Sequence, residues 1–356
     1  IHLVHGRHWS AHCLGMQMRD HRPALLIAHH PSLDLLDQDA LDRIGDVAAI
    51  LDPEPVGDWD DPRSGDLLAR AEVILGHWGC PPLDASVIDR APKLGLFAYA
   101  AGTVKQTISS DVFDRAIRVT SGADANAEPV AEFTLATILY ANKDVIWQRD
   151  ARRTPRDPSL REFRRPHGVA VGNYDKTIGI VGASLIGRRV IELLSVFPHL
   201  DVALHDPFVD DTEATALGVR KMELDELCAS VDILSIHAPD LPSTRHMIGA
   251  SQLAALRTGA TVINTARGAL LDHDALLDEV SSGRLSAVLD VTDPEPLPDD
   301  HPLWALPNVF ITPHLAGSLG TELRRMIDHA IDEIERWRTG RPARNAITKD
   351  MLSRLA

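Results

Sequence analysis

The chain has 356 residues, 44% of them hydrophobic and 24% charged, which is typical of a globular protein of two domains and excludes a disordered or collagen-like chain. A formal net charge of −15 disfavours binding to nucleic acid and to anionic membranes. Apolar runs too short to cross a bilayer, the lack of a signal-peptide pattern and three widely separated cysteines (Cys13, Cys80 and Cys228) predict a cytoplasmic protein.

The first third of the chain alternates short apolar runs with stretches of helical periodicity, beginning at Ala24. This alternation predicts a parallel sheet flanked by helices. Strands are predicted over 24–29, 47–51, 73–76, 94–100 and 117–120. Helices are predicted over 33–44 and 83–90, each after a Ser or Asp capping signal. The first α/β unit is expected to end near Thr120, and residues 1–22 give no prediction.

A helix is predicted over 126–143, with Pro129 in its first turn. Apolar residues surround most of its circumference, which indicates a helix buried on most sides. Seven arginines and three prolines follow between 149 and 166. This composition is typical of an exposed arm with scattered ion pairs.

A second alternating series fills the remainder of the chain. Its predicted strands are 177–181, 201–205, 232–238, 261–265, 287–291 and 309–314, and six strands separated by helical segments match a doubly wound nucleotide-binding sheet. Apolar residues spaced by three and four between 319 and 337 predict a final amphipathic helix. No strand is expected after it.

The stretch 178–187, IGIVGASLIG, has the order of a phosphate-binding turn. Gly182 closes a predicted strand and Gly187 opens a helix, while Ser184 stands where such turns usually have a second glycine. The serine hydroxyl can itself bond a phosphate oxygen. Asp206 ends the next strand, 24 residues after Gly182, where a carboxylate accepts hydrogen bonds from the ribose of NAD and repels the additional phosphate of NADP. These features predict a site for NAD, preferred over NADP.

Three further polar residues follow predicted strands of the same sheet, namely Arg267, Glu295 and His314. Each alone has an ordinary structural interpretation: a surface arginine paired with nearby carboxylates, a carboxylate in a proline-rich turn, and a satisfied histidine at a strand end. Ligands of open parallel sheets bind beyond the carboxyl ends of the strands, which favours a shared site instead. There, the guanidinium of Arg267 can grip a carboxylate by two hydrogen bonds.

The motifs GIVGASLIG, HDPF, ILSIHAP, TRHMI, INTARG, LDVTDPEP and ITPHLAG occur in this order. Together they resemble the D-isomer-specific 2-hydroxyacid dehydrogenase family, from about residue 94 to 320. The resemblance implies two doubly wound parallel-sheet α/β domains, with a Rossmann NAD-binding domain (126–317) inserted in a flavodoxin-like substrate domain (1–125 and 318–356). It also implies that the final helix returns to pack on the first domain.

The resemblance assigns roles to individual residues. Arg267 would bind the substrate carboxylate and keto oxygen, and His314 would be the acid-base group, with Glu295 fixing its tautomer and favouring its protonated form. The backbone N–H groups of Ala101 and Gly102 would also bind substrate. Thr103, Val104 and Lys105, which follow them, differ from the residues that are commoner in the family at these positions. The cofactor-binding positions would be Gly182, Ser184, Leu185, Ile186, Gly187, Asp206, Ala238, Pro239, Thr244, Thr265, Ala266 and Asp290, and no metal is expected.

The implied function is that of an NAD-dependent D-2-hydroxyacid dehydrogenase or 2-keto acid reductase, which transfers a hydride between the nicotinamide and C2 of a small acid. A homodimer formed through the NAD-binding domain is expected, with 149–166 as a crossing arm. Oxidation of formate or phosphite is disfavoured, because the formate enzymes of this wider group lack the glutamate partner of the histidine. An NADH-sensing, corepressor-like binding protein stays open, and so does the identity of the 2-hydroxy acid.

Overall fold

The computed structural model describes residues 22–33, 35–151 and 171–352. Residues 1–21, 34, 152–170 and 353–356 lie outside the described residues. They include Cys13 and most of the arginine-rich stretch. The chain divides into two compact units. Unit 1 comprises the described residues of Ile1–Ala100, Ser109–Thr120 and Asp328–Ala346, and unit 2 comprises those of Ala101–Ile108, Ser121–Ile327 and Ile347–Ala356.

Unit 1 is built around a six-stranded sheet. Its strands are β1 (Ala24–Ala28), β2 (Ala49–Ile50), β3 (Val73–Gly76), β4 (Leu96–Tyr99), β5 (Arg118–Ser121) and β13 (Ala346–Ile347), and its helices are α1 (Gln38–Val47), α2 (Ser64–Arg70), α3 (Ala85–Arg90) and α4 (Asp111–Asp114). The strand order is β13-β5-β4-β3-β1-β2. Apart from the added β13, this is the flavodoxin-like order, with its switch point between β1 and β3.

Capping residues explain why two helices begin later than predicted. The carboxylate of Asp37 accepts a hydrogen bond from the N–H of Ala40 at 2.8 Å, so α1 begins at Gln38 rather than at residue 33. Asp84 caps α3 in the same manner by accepting from the N–H of Val87 at 3.1 Å. The expectation that no strand follows the final helix was wrong, because β13 lies beside β5 at the edge of the sheet.

Unit 2 holds a seven-stranded sheet. Its helices are α5 (Ala123–Asn142), α6 (Val145–Ala151), α7 (Leu185–Leu194), α8 (Asp211–Ala216), α9 (Leu224–Ser230), α10 (Ala250–Ala255) and α11 (His273–Ser281), and its strands are β6 (Lys176–Val181), β7 (Leu200–His205), β8 (Arg220–Lys221), β9 (Ile233–Ile236), β10 (Thr261–Asn264), β11 (Ser286–Leu289) and β12 (Val309–Ile311). The order is β12-β11-β10-β9-β6-β7-β8, and neighbouring strands are parallel. This is the Rossmann arrangement extended by one strand. The predicted fold class is confirmed.

The core of unit 2 lies on both faces of its sheet. Successive residues of β10 separate cleanly, with Val262 packed in one hydrophobic cluster and Ile263 in the other. The face of Ile263 is covered by α5 and α7, and that of Val262 by α9, α10 and α11. Since both faces are covered, ligands have access to the sheet only at the ends of its strands.

Helix α5 begins at Ala123, three residues before the predicted start. Pro129 therefore lies in the helix interior, and the prediction that it occupies the first turn was wrong. A proline there has no N–H to donate to the carbonyl of Ala125, so packing has to hold the helix. Pro129 is buried together with Val130, Ala131 and Ile138 among others, which agrees with the expected burial of this helix.

The last helix, α12 (Leu323–Arg338), follows a short 3₁₀ turn. From Asp328 onward its residues belong to unit 1, where Arg43 and Asp328 form an ion pair. A side chain at Gly95 would meet the indole of Trp337 at 2.7 Å, so this end of α12 packs directly on unit 1. The division into an NAD-binding domain (126–317) and a substrate domain (1–125 and 318–356) stays a prediction, because the compactness of the two units does not show which ligand either one binds. In the parts of the chain that the structure describes, no helix combines the length and apolar character needed to span a membrane.

Candidate active site

The glycine-rich turn lies between β6 and α7, at the carboxyl end of the sheet. Gly182 follows β6 immediately and has φ +99°, a conformation that favours glycine. A Cβ at Gly187 would lie 2.1 Å from the carbonyl oxygen of Gly182. Helix α7 can therefore start this close to the turn only because position 187 carries no side chain.

Ser184 is the N-cap of α7, and its hydroxyl oxygen accepts a hydrogen bond from the N–H of Gly187 at 3.3 Å. The hydroxyl proton still allows it to donate to another group. Leu185 is 54% exposed and Ile186 is half-buried. A capped helix N-terminus beside a turn with a glycine at each end fits a pyrophosphate, because backbone N–H groups and the positive end of the helix dipole both favour an anion there.

Asp206 follows β7 and lies beside the same turn. One carboxylate oxygen accepts the N–H of Ala183 at 2.7 Å, and the other accepts the N–H of Phe208 at 2.8 Å. Each oxygen keeps a further lone pair. The half-buried carboxylate of Asp206 is thus held in place while still able to accept hydrogen bonds from the two hydroxyls of a ribose.

The segment after β9 forms the opposite wall of the turn. The backbone nitrogen of Ala238 lies 2.6 Å from where a Cβ of Gly182 would be. Thr244 donates its hydroxyl to the carbonyl of Pro239 at 2.6 Å and accepts the N–H of Leu241 at 2.9 Å. The hydroxyl of Thr244 therefore shapes the loop that begins at Pro239.

Thr265, directly after β10, bonds to a helix. Its hydroxyl lies 3.0 Å from that of Thr134, which itself donates to the carbonyl of Val130 at 2.8 Å. Since Thr134 has one proton to give, Thr265 is the donor of the pair. The side chain of Thr265 fastens β10 to α5, so a contact with a cofactor would use its backbone or its remaining lone pairs.

The loop that carries Arg267 is braced by Asn264, which was not singled out in the sequence. The side chain of Asn264 accepts the N–H of Ala266 at 3.1 Å and donates to the carbonyl of Arg267 at 2.9 Å. An asparagine at a strand end, as in INTARG, is the signal that predicts such a turn. A Cβ at Gly268 would lie 2.0 Å from the backbone of Thr292, so this glycine lets the loop approach the one that carries Glu295.

Arg267 is a partly buried cation. Burial lowers the pKa of its guanidinium, while the negative charges of Asp240 and Glu295 oppose this shift. The group stays protonated at neutral pH, since a free guanidinium has a pKa far above that range. One of its nitrogens donates to the carbonyl of Ala266 at 2.6 Å, which fixes the stem. A cation with so little water around it favours a carboxylate partner.

His314 and Glu295 are joined directly by a hydrogen bond of 2.6 Å between Nδ1 and Oε1. The side chains are 52% and 41% exposed, and His314 has φ +53°. A carboxylate on Nδ1 leaves Nε2 as the ring position for proton transfer. The negative charge of Glu295 also acts on the guanidinium of Arg267. The three predicted catalytic residues therefore lie in one region of the structure.

Asp290, predicted to bind cofactor, is 2% exposed and holds the loop of His314. Its carboxylate accepts the N–H groups of Leu315 at 2.8 Å and Ala316 at 2.9 Å, and the hydroxyl of Thr312 at 2.5 Å. Its backbone carbonyl accepts the N–H of His314 at 3.0 Å. Thr312 was missed in the sequence, where a threonine before Pro-His gives no distinctive signal.

Ala101 and Gly102, predicted to contact substrate through their N–H groups, lie in a loop that belongs to unit 2. Their carbonyls face the hydroxyl of Ser121 at 3.4 and 2.5 Å. Lys105, in the same loop, donates to the backbone carbonyl of Asp240 at 3.4 Å. The loop is thereby tied to the segment after β9, whose Asp240 interacts with Arg267.

Comparison with known proteins gives a family match over residues 137–316, to the model described as "D-isomer specific 2-hydroxyacid dehydrogenase, NAD binding domain". D-3-phosphoglycerate dehydrogenase of Mycobacterium tuberculosis is 34% identical over 278 residues, which are 76% of this chain and 51% of the relative. Glyoxylate reductase of Aeropyrum pernix is 31% identical over 272 residues, covering 76% of this chain and 81% of that protein.

Solved structures have the same architecture. A phosphoglycerate oxidoreductase from Rhizobium etli superposes with a TM-score of 0.72 at 27% identity, covering 92% of this chain and 98% of that one. The chain spans about half the length of the phosphoglycerate dehydrogenases that it matches.

Proposed function

This chain belongs to the D-isomer-specific 2-hydroxyacid dehydrogenase family, and from this membership we propose that it is an NAD-dependent D-2-hydroxyacid dehydrogenase that reduces a small 2-keto acid. The single observation that carries the proposal is the hydrogen-bonded pair of His314 and Glu295, 2.6 Å apart, whose carboxylate charge also acts on the partly buried guanidinium of Arg267. A proton donor next to a carboxylate-binding cation is what reduction of a 2-keto acid requires.

Arg267 binds the substrate carboxylate. Burial removes competing water from its guanidinium, so a charge-assisted pair with a carboxylate is strengthened. The same cation stabilises the negative charge that develops on the keto oxygen during reduction. The negative charge of Asp240 also acts on Arg267 and favours its protonated form.

His314 holds the proton that the reduced oxygen takes up. Glu295 accepts a hydrogen bond from Nδ1 and orients the ring, so that Nε2 is the nitrogen that transfers a proton. Asp290 acts through the loop rather than on the substrate: its bonds to residues 312–316 fix the backbone on both sides of His314. We assign Asp290 as a positioning residue.

The nicotinamide cofactor, when bound, supplies the hydride for C2. The turn at Gly182 and Gly187, together with the N-terminus of α7, would hold its pyrophosphate, and Asp206 would hold its adenosine ribose. A carboxylate at that ribose supports NAD over NADP, because a 2′-phosphate placed against Asp206 is repelled. By analogy with the family, Ala101 and Gly102 would add N–H groups for the substrate.

We propose in addition that the enzyme is cytoplasmic and homodimeric through its NAD-binding domain, with no nucleic-acid or membrane partner. The net charge of −15 supports the last point. The dimer prediction is tested by the mass of the protein in solution. A mass equal to one 38.9 kDa chain would contradict it.

The decisive experiment is NADH oxidation by the purified chain against a panel of 2-keto acids, including glyoxylate, hydroxypyruvate, pyruvate and bulkier acids, repeated with NADPH. We expect turnover of at least one acid, faster with NADH. Tight NADH binding without turnover of any 2-keto acid would contradict the enzyme and favour the NADH-sensing alternative. Failure to bind either nucleotide would reject both functions.

A further inference from the structure

Arg188 lies at the edge of the site proposed for the adenosine ribose. It belongs to α7, and its Nε donates to the carbonyl of Ala183 at 2.8 Å. The N–H of that same Ala183 donates to the carboxylate of Asp206 at 2.7 Å. One residue of the glycine-rich turn therefore separates a guanidinium from the carboxylate that would receive the ribose.

Arg188 is held by a partner from the next helix. Its Nη2 lies 2.7 Å from Oε1 of Glu213 in α8, and the two side chains are 39% and 41% exposed. Glu213 is itself fixed, because its N–H donates to the N-cap Asp210 at 2.8 Å. A half-exposed ion pair of this kind adds little to stability, so the pair has no evident structural necessity.

The pair does have an electrostatic consequence for the site. An unpaired arginine next to the ribose would attract a 2′-phosphate, since a guanidinium binds phosphate oxygens by two charge-assisted hydrogen bonds. Glu213 cancels that charge and engages one of the nitrogens that the phosphate would use. Asp206 and Arg188 both bond to Ala183, so a phosphate added to a ribose held by Asp206 would meet the negative charges of Asp206 and Glu213 rather than an unpaired guanidinium.

We propose that Glu213 is a second determinant of cofactor choice, which neutralises Arg188 and so adds to the rejection of NADPH by Asp206. The inference rests on the proposed function, because it assumes that a dinucleotide binds at this turn. It assigns Arg188 as a latent phosphate-binding group, and the pair Arg188–Glu213 as the element that keeps this group unavailable.

The test is the affinity for each nucleotide, measured by the fluorescence of NADPH and NADH on titration with protein and without any substrate. We expect Glu213→Gln to tighten NADPH binding by about 3- to 10-fold, the effect of removing one charge at close range in a partly screened setting. NADH binding should stay within about two-fold, because NADH carries no phosphate there. Adding Arg188→Gln to Glu213→Gln should abolish the gain.

Glu54→Gln is the matched control. Glu54 belongs to unit 1, whereas Arg188 and Glu213 belong to unit 2, and it pairs with Arg63 at 2.9 Å while 71% exposed, so the substitution makes the same change in net charge in the other unit. Equal gains in Glu54→Gln and Glu213→Gln, no gain in Glu213→Gln, or a gain that survives Arg188→Gln would each overturn the inference alone. A wild-type chain that binds neither nucleotide would overturn the proposed function, and this inference with it.

Discussion

The backbone carbonyl of Asp290 accepts the N–H of His314 at 3.0 Å, while the carboxylate of the same aspartate bonds to the residues on either side of that histidine. Asp290 follows β11 and is 2% exposed, whereas His314 follows β12 and is half-exposed. The backbone around the half-exposed imidazole is thus held by a buried aspartate. From the sequence alone, Asp290 was expected to contact the cofactor. Its hydrogen bonds favour a different role, that of holding the loop of His314.

Asp290→Asn should slow turnover and leave NADH affinity nearly unchanged. An amide cannot accept all the bonds that the carboxylate accepts, so the loop of His314 shifts, and misplacement of about 1 Å can cost up to about 100-fold in kcat. Steady-state kinetics and NADH fluorescence measure the two effects. Asp299→Asn, at an exposed position, is the control, and a large loss of NADH affinity with kcat retained would make Asp290 a cofactor ligand instead.

His314→Gln should lower kcat by about 10² to 10⁴-fold, the usual contribution of a general acid. Glu295→Gln should have a smaller effect of the same sign, and the double variant should be no worse than His314→Gln, because the two side chains act as one unit. His199→Gln, at an exposed histidine beside Tyr174, is the control. Additive losses in the double variant would show that Glu295 acts independently of His314.

Arg267→Lys should lower kcat/KM by about 10- to 100-fold, since an ammonium cannot reproduce a forked pair of charge-assisted hydrogen bonds. The kinetics with the best 2-keto acid of the panel measure this loss. Arg257→Lys, an exposed position before β10, makes the same substitution outside the site. Equal activity of the wild type and Arg267→Lys would remove Arg267 from substrate binding.

Ser184→Ala should lower the free energy of unfolding by about 1 kcal/mol, because it removes the N-cap of α7, and Ser184→Gly by only a few tenths. Urea denaturation followed by circular dichroism measures both. NADH affinity of Ser184→Gly should stay within about two-fold, since backbone N–H groups provide the anion site. A large loss of affinity in Ser184→Gly with stability kept would show that the hydroxyl itself binds phosphate.

Stability should fall as the pH drops below about 6.5. Burial lowers the pKa of His237 to about 3, so between pH 3 and 6.5 the unfolded chain binds a proton that the folded chain does not. The contribution is complete above the unfolded pKa and is lost at ~1.4 kcal/mol per pH unit as the pH falls. Burial also lowers the pKa of His77 to about 3, so His77 adds to the same loss of stability at low pH.

Urea denaturation at pH 7 and pH 5 measures this loss. His237→Gln keeps a polar group near Ser235, whose hydroxyl lies 2.8 Å from Nε2 of His237, and removes the titration. We expect the free energy of unfolding to change less between pH 7 and pH 5 in His237→Gln than in the wild type. In His199→Gln it should change as much as in the wild type. Identical slopes in wild type and His237→Gln would contradict the assignment.

Local patterns carried most of the information in the fold. Short apolar runs between helical stretches predicted eleven of the thirteen strands that the structure describes, because strands buried on both faces of a sheet are apolar throughout. The two-residue strands β8 and β13 were missed. The errors fell where local signals compete. Asp37 caps α1 later than the apolar pattern begins, and the start of α5 at Ala123 left Pro129 in the interior, where tertiary packing outweighs propensity.

The sequence by itself determined the chemistry available to this protein: the glycine turn, a carboxylate at Asp206, and Arg267, Glu295 and His314 after strands of one sheet. Only the tertiary structure decided which of these groups meet, that Asp290 supports the loop of His314, and that Arg188 is occupied by Glu213. The physical reason is that the type of a residue and its place on a strand follow from local sequence, whereas a hydrogen bond between distant segments depends on loop paths to within a few tenths of an ångström.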